Sequence, residues 1–413
     1  MKKYTWPSAL LLSLVLSLGG CGKPSAEAQL QKAREYAAKG EKKAAIIEFK
    51  NLLADYPENA DARRQLGQLY LESGETDAAL IELKKAVEHG ADKVGTASTL
   101  ARALLAKGDH LKALEYLDPK KIPEADTAPA LIVLRGHAFS MRAMFDDATR
   151  LYQAALKIDP KYADASIGLA RVAVMQRQPD QAMALLDGVL AHSPANVDAL
   201  LMKGDLLRRN GERDLAIQLY ERALSADKNK EQAYLSLIAM AIESNQLPKA
   251  RTYLTDLQKV SANNLYARHL EAVILLREKQ PDQALTKILE VLKLAPTLPA
   301  SNLMAANIEY SKGMYQQAIA HLNAVLANSP NNLPAQRLLV ATLLKQNEVD
   351  KAAELLNKLT EQYPDDTALL SLAGEAAARK RDYAKAMSAY SRAAQLDPKS
   401  AELRTKVAMA RMA

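Results

Sequence analysis

"ADARRQLGQLYLESGETDAALIELKKAVEHGAD", residues 60–92, decides the fold. Apolar and small residues recur at helical spacing on both sides of "ESGET": Leu66, Gly67 and Tyr70 before it, Leu83 and Ala86 after it. The stretch therefore reads as two amphipathic helices joined by a tight turn. Gly74 supplies the positive φ that ends the first helix and turns the chain into the second. Ala79 belongs where the two helices cross most closely, because a larger side chain there would push the backbones apart.

Outward from this stretch, the same alanine returns along the chain. Ala45, Ala79, Ala113, Ala148, Ala182, Ala216, Ala250, Ala284, Ala318, Ala352 and Ala386 lie 34 residues apart, with a single step of 35 between Ala113 and Ala148. Twelve residues after each comes a turn, marked by Pro57, Pro160, Pro194, Pro296, Pro330, Pro364 and Pro398, with Ala91, Ala125, Lys228 and Ala262 in the remaining places. Five residues before each alanine stands Gly40, Gly74, Gly108, Gly211 or Gly313, or a polar substitute such as Asn245 or Asn347. The expected architecture is all-α: eleven helix-turn-helix units across residues 26–400, starting near 26, 60, 94, 129, 163, 197, 231, 265, 299, 333 and 367, and a capping half unit at 401–413. "LDPKKIPEADTAP", residues 117–129, breaks the pattern, since Pro119 cuts a second helix short and one residue is inserted. The register resumes at once, so the break is a local irregularity.

These residues resemble the tetratricopeptide repeat, down to the small residue at the eighth position and the terminal proline. The resemblance implies a right-handed superhelical solenoid in which the first helix of each unit lines a concave groove. Inward positions on those helices hold Arg34, Arg64, Arg102, Arg171, Arg208, Arg209, Arg277, Arg337, Lys345 and Arg379. Arginine dominates this line, and its planar, bidentate donor geometry suits carboxylates. Glu27, Asp61, Glu72, Asp164, Asp198, Asp205, Glu243 and Glu375 share it. The line thus has two readings, a solvated face of mixed charge or a groove that binds an acidic peptide or glycan. Tetratricopeptide co-chaperones grip a C-terminal carboxylate with lysine and asparagine at fixed places, and no neighbouring units here supply that set.

Composition narrows the function classes. The 55 basic and 48 acidic side chains leave a formal charge of +7 over 413 residues, with no Lys/Arg block of five or more, so nucleic acid is not an expected partner. The six histidines fall at unrelated repeat positions without ligand spacing, and no phosphate loop, dinucleotide fingerprint or nucleophile elbow occurs. A non-enzymatic chain without metal or cofactor is expected.

The single cysteine, Cys21, allows no internal disulfide and needs another explanation. Lys2 and Lys3 precede an apolar run from Ala9 to Leu18, too short for a permanent span but long enough for the core of a secretory signal. Leu18-Gly19-Gly20-Cys21 resembles the lipobox of bacterial lipoproteins, which implies cleavage of residues 1–20 between Gly20 and Cys21, lipidation (diacylglyceryl, palmitate) of the Cys21 sulfur, and a short tether at 21–25. Several acyl chains anchor far better than one, at about 0.8 kcal/mol per buried methylene. Gly22, rather than aspartate, follows the cysteine, and in that family this implies the outer membrane, facing the periplasm.

"AAIIEFKNLLADYPENADARRQLGQLYLESGETDAALIELKKAVEHGAD", with "TLARALLAKGD", "VLRGHAF", "LMKGDLLRRNGERDLAIQLYERAL" and "LRTKVAMARMA", is similar to the tetratricopeptide lipoproteins found with exosortase and PEP-CTERM systems, the PrsT type. That resemblance implies a scaffold in exopolysaccharide production or export, or in sorting proteins by a C-terminal signal, with partners in an envelope assembly and a membrane reached through the lipid anchor. Two alternatives remain at the sequence level: a lipoprotein of outer-membrane protein or pilus assembly, and the non-catalytic part of a longer enzyme subunit.

Overall fold

The computed structural model describes residues 25–412, so the expected cleavage bond after Gly20 and the expected lipid site at Cys21 lie outside the described residues. Within them every regular element is a helix. Two compact units divide the chain, one ending at Pro194 and the other beginning at Ala195. The first unit contains five helix pairs: Ala26–Ala38 with Lys42–Asp55, Ala60–Glu72 with Thr76–Glu88, Lys93–Ala106 with His110–Tyr116, Pro129–Met141 with Phe145–Ile158, and Ala163–Met175 with Pro179–His192. The second contains six: Val197–Arg209 with Arg213–Ala226, Glu231–Glu243 with Leu247–Val260, Leu265–Arg277 with Pro281–Leu294, Pro299–Ser311 with Tyr315–Asn328, Leu333–Lys345 with Val349–Gln362, and Thr367–Arg379 with Tyr383–Leu396, followed by a closing helix, Ala401–Met412. We number the pairs as repeats one to eleven and name their helices A and B.

Each A helix ends on a residue in the left-handed region. Five of the eleven turns use Gly40, Gly74, Gly108, Gly211 and Gly313, but the other six use Ala143, Arg177, Asn245, Lys279, Asn347 and Arg381. Only asparagine among those six has a local reason to favour that conformation. The turn imposes it on the rest through hydrogen bonds: Met144 N–H donates to Phe139 O (3.0 Å) and Ala143 N–H to Ser140 O (3.0 Å), closing a Schellman motif around Ala143.

Packing behind the turns follows the small residues. The eleven repeat alanines from Ala45 to Ala386 are all fully buried. On the facing A helix the eighth position is glycine wherever the B-helix side chain opposite is tyrosine. A Cβ added to Gly136 would lie 2.6 Å from the Tyr152 ring, one on Gly204 2.8 Å from Tyr220 and one on Gly374 2.5 Å from Tyr390. Where the opposing residue is Leu117, Leu186 or Leu322, alanine (Ala101, Ala170, Ala306) fits instead. A polar device recurs at the fourth position, where a buried side chain reaches back to the turn: Arg63 Nε donates to Pro57 O (2.7 Å), Asn302 Nδ2 to Pro296 O (2.8 Å) and Gln336 Nε2 to Pro330 O (2.7 Å). These bonds satisfy carbonyls that proline turns leave without helical partners.

Repeat three carries the irregularity. Its A helix starts at Lys93, one residue before the unit boundary at 94, because Asp92 caps it by accepting from Gly95 N–H (2.6 Å). Its B helix has only seven residues, ends at Tyr116 ahead of Pro119, and gives way to a 3-10 turn at Pro123–Asp126. Leu117 and Ala125 stay fully buried, so the core contact survives the loss of helix.

Candidate functional site

Residues 34 apart occupy the same place in successive repeats, so the ninth A-helix position forms a row. In the first unit the row is Arg34, Gln68, Arg102, His137 and Arg171; in the second it is Asp205, Ala239, Val273, Asn307, Ala341 and Glu375. Basic character on this row belongs to the first unit alone. In the second unit the bases shift one turn along, to Arg209, Arg277, Lys345 and Arg379 at the thirteenth position.

Ion pairs divide the expected arginines into two groups. Arg34 pairs with Asp61, which also accepts from Arg64 (2.8 Å), and the two guanidiniums hold that carboxyl below its usual range against the opposing effect of its burial. Arg337 pairs with Asp366, the N-cap of repeat eleven. Arg379 pairs with Glu375 (2.6 Å) and donates to the Leu344 carbonyl. These side chains brace one repeat against another. Arg171, Arg209 and Arg277 are exposed and carry no ion pair among the described residues, and Arg208 is exposed on the same helix as Asp205, which accepts from the Tyr220 hydroxyl (2.6 Å). Arg102 meets Asp164 only at 3.9 Å.

His137, which sequence reasoning set aside with the other histidines, sits in the row between Arg102 and Arg171. Its Nδ1 lies 2.8 Å from the Tyr152 hydroxyl. Burial, reinforced by Arg171 and then Arg102, pushes its pKa down to about 4, and burial raises the Tyr152 phenol to about 12. The ring is neutral at physiological pH. Its register, 35 residues after Arg102 and 34 before Arg171, was the signal available in the sequence.

The second unit holds a buried polar cluster that the sequence also concealed. Glu309 is 2% exposed; its Oε1 lies 3.5 Å from His321 Nε2, and its Oε2 has no hydrogen-bond partner. His321 Nδ1 meets Asn302 Oδ1 at 2.9 Å, and His269 Nδ1 meets Ser301 Oγ at 3.0 Å. Burial drives the Glu309 carboxyl up to about 7 and lowers both histidines. Among the described residues no three histidine, cysteine, aspartate or glutamate side chains converge at metal-binding distance, and no helix is long and apolar enough to cross a membrane.

Comparison with known proteins places this geometry. Family models described as "Tetratricopeptide repeat" match residues 143–201, 173–241, 269–333, 309–376 and 368–400, and a family of unknown function matches 25–127. Together the repeat models cover more than half of the chain, which belongs to the tetratricopeptide repeat proteins and is a scaffold for protein interaction. Among relatives, "Uncharacterized protein y4yS" of Sinorhizobium fredii is 33% identical over 117 residues, covering 27% of this chain and 64% of its own. "Cellulose synthase operon protein C" of Pseudomonas fluorescens is 28% identical over 244 residues, covering 54% of this chain and 19% of its own. The chain thus spans less than two thirds of either relative. Yeast Tom70 is a similar solved structure, with a TM-score of 0.45 and 14% identity, over 94% of this chain and 95% of that one.

Proposed function

We propose that this chain is a non-catalytic scaffold, tethered through a lipidated Cys21 to the outer membrane and facing the periplasm, where its A-helix face holds protein partners of an envelope assembly. The assembly makes or exports an exopolysaccharide, or sorts proteins of the PEP-CTERM class. The observation that carries this reading is the exposed A-helix face, on which Arg171, Arg209 and Arg277 have no carboxylate of their own chain among the described residues. Exposed guanidiniums on A helices are suited to recognising acidic side chains of a partner bidentately. The likeness to a protein named for a cellulose synthase operon supports the polysaccharide branch over protein sorting. The lipobox resemblance at Leu18–Cys21 supports the tether.

Fractionation of host cells tests both parts. Cys21→Ser is expected to move the protein from the membrane to the soluble periplasmic fraction and to lower exported polysaccharide, as deletion of the gene does. Unchanged membrane association in the variant contradicts the tether; unchanged polysaccharide in the deletion strain contradicts the polysaccharide branch.

A further inference from the structure

On that scaffold reading, we propose that Arg102, His137 and Arg171 form a carboxylate seat on the A-helix face of repeats three to five, built for an acidic side chain of an extended peptide and guarded in the free chain by Asp164. The Arg102–Asp164 contact is unusual in reach. Other ion pairs between repeats join neighbours, as Lys107 does Asp77 and Lys230 does Asp198, whereas Arg102 passes over repeat four to meet a carboxylate of repeat five at 3.9 Å. Its two side chains are 55% and 49% exposed, so a carboxylate arriving from solution competes on nearly equal terms. Arg171, on the same helix as Asp164, brings a second guanidinium with no ion pair among the described residues.

His137 stands between the two in the same row, 35 residues after Arg102 and 34 before Arg171, and that ring supplies a third donor. The Tyr152 hydroxyl lies 2.8 Å from His137 Nδ1. With Nδ1 accepting from Tyr152, the neutral imidazole carries its proton on Nε2. Two guanidiniums and one N–H then share one row of three successive repeats, a donor set for an anion with two oxygens. The second unit has no equivalent: opposite Tyr220 the same row position is Asp205, which accepts from that hydroxyl at 2.6 Å.

One turn beyond His137 and Arg171 on the same helix faces lie Met141 and Met175, 51% and 63% exposed. Flexible thioethers beside the charges accommodate apolar side chains next to an acidic residue. A sugar acid would call for a fully exposed aromatic platform; Tyr152 is buried beneath the seat, and Tyr162, which precedes the repeat-five A helix, is half-buried. The chemistry favours a peptide over a glycan.

The test uses the full mature chain and a fluorescein-labelled nine-residue peptide with blocked ends and a central glutamate between two leucines, read by anisotropy against its glutamine twin and against oligogalacturonate. The glutamate peptide is expected to bind about tenfold more tightly than the twin, and Arg102→Ala or Arg171→Ala to cost about the same factor. Asp164→Asn is expected to tighten binding by removing the internal competitor, a gain that misfolding cannot imitate. Equal binding of the two peptides, weaker or unchanged binding by Asp164→Asn, no binding of the glutamate peptide, or a preference for oligogalacturonate overturns the seat. Partner capture by the whole chain is read separately by pull-down, so loss of the seat and loss of the scaffold reading remain distinguishable.

Discussion

At the scale of single residues, three repeats trade bulk across the A–B contact. Every tyrosine at the large B-helix position (Tyr152, Tyr220, Tyr390) faces a glycine (Gly136, Gly204, Gly374), and the ring lies where a Cβ would be. Gly204→Ala is therefore expected to destabilise the second unit by about 1–3 kcal/mol, the range for overpacking a filled core. Adding Tyr220→Leu should recover much of the loss, because the Ala170–Leu186 pair already fits in repeat five. Urea denaturation of the single and double variants checks this, and additive losses in the double variant would refute the trade. These glycines were legible in the sequence through their register. Ala143, Arg177, Lys279 and Arg381 were less so, since the expectation at the turn was glycine or a polar substitute; their left-handed backbone is set by the hydrogen bonds of the turn rather than by the side chain.

At the scale of elements, the period of 34 was readable because a close helix crossing tolerates only a small residue, so the same alanine must return with every pair. The truncated B helix of repeat three was readable from Pro119 for an equally local reason. Contacts between elements were not. Glu309 and His321 are twelve residues apart on different helices of one repeat, and nothing local announces that the turn folds them together. The spending of Arg34 and Arg337 on ion pairs was hidden likewise, because it depends on which carboxylate the next repeat presents, whereas the Glu375–Arg379 pair has the local spacing of four residues. The buried Glu309 makes stability depend on pH. Its carboxyl titrates at about 7 in the folded chain against an ordinary value of 4.5, so the folded state holds its proton more tightly. Stability from this group is full below about 4.5 and falls as pH rises toward 7, where only the unfolded chain ionises freely. The lowered histidines His321 and His269 work in the opposite sense, losing stability as pH falls below 6.5. Glu309→Gln removes only the first effect. Across pH 4.5 to 7 the wild-type urea midpoint should fall relative to the variant's, and parallel profiles would refute the assignment.

At the scale of the whole molecule, the two units spend the same architecture differently. The first presents a basic row with its histidine, and the second places its bases one turn along, beside apolar and acidic residues in that row. A chain that repeats its backbone while varying one surface is built to sort contacts along its length, which is what a scaffold requires. The central claim is that partners dock on the A-helix face. Photocrosslinking in host cells tests it most directly, with a benzophenone amino acid placed at Met175 on the A helix of repeat five or at Ile81 on the exposed side of the B helix of repeat two. The account predicts partner adducts from Met175 and none above background from Ile81. Adducts from Ile81 alone would contradict it.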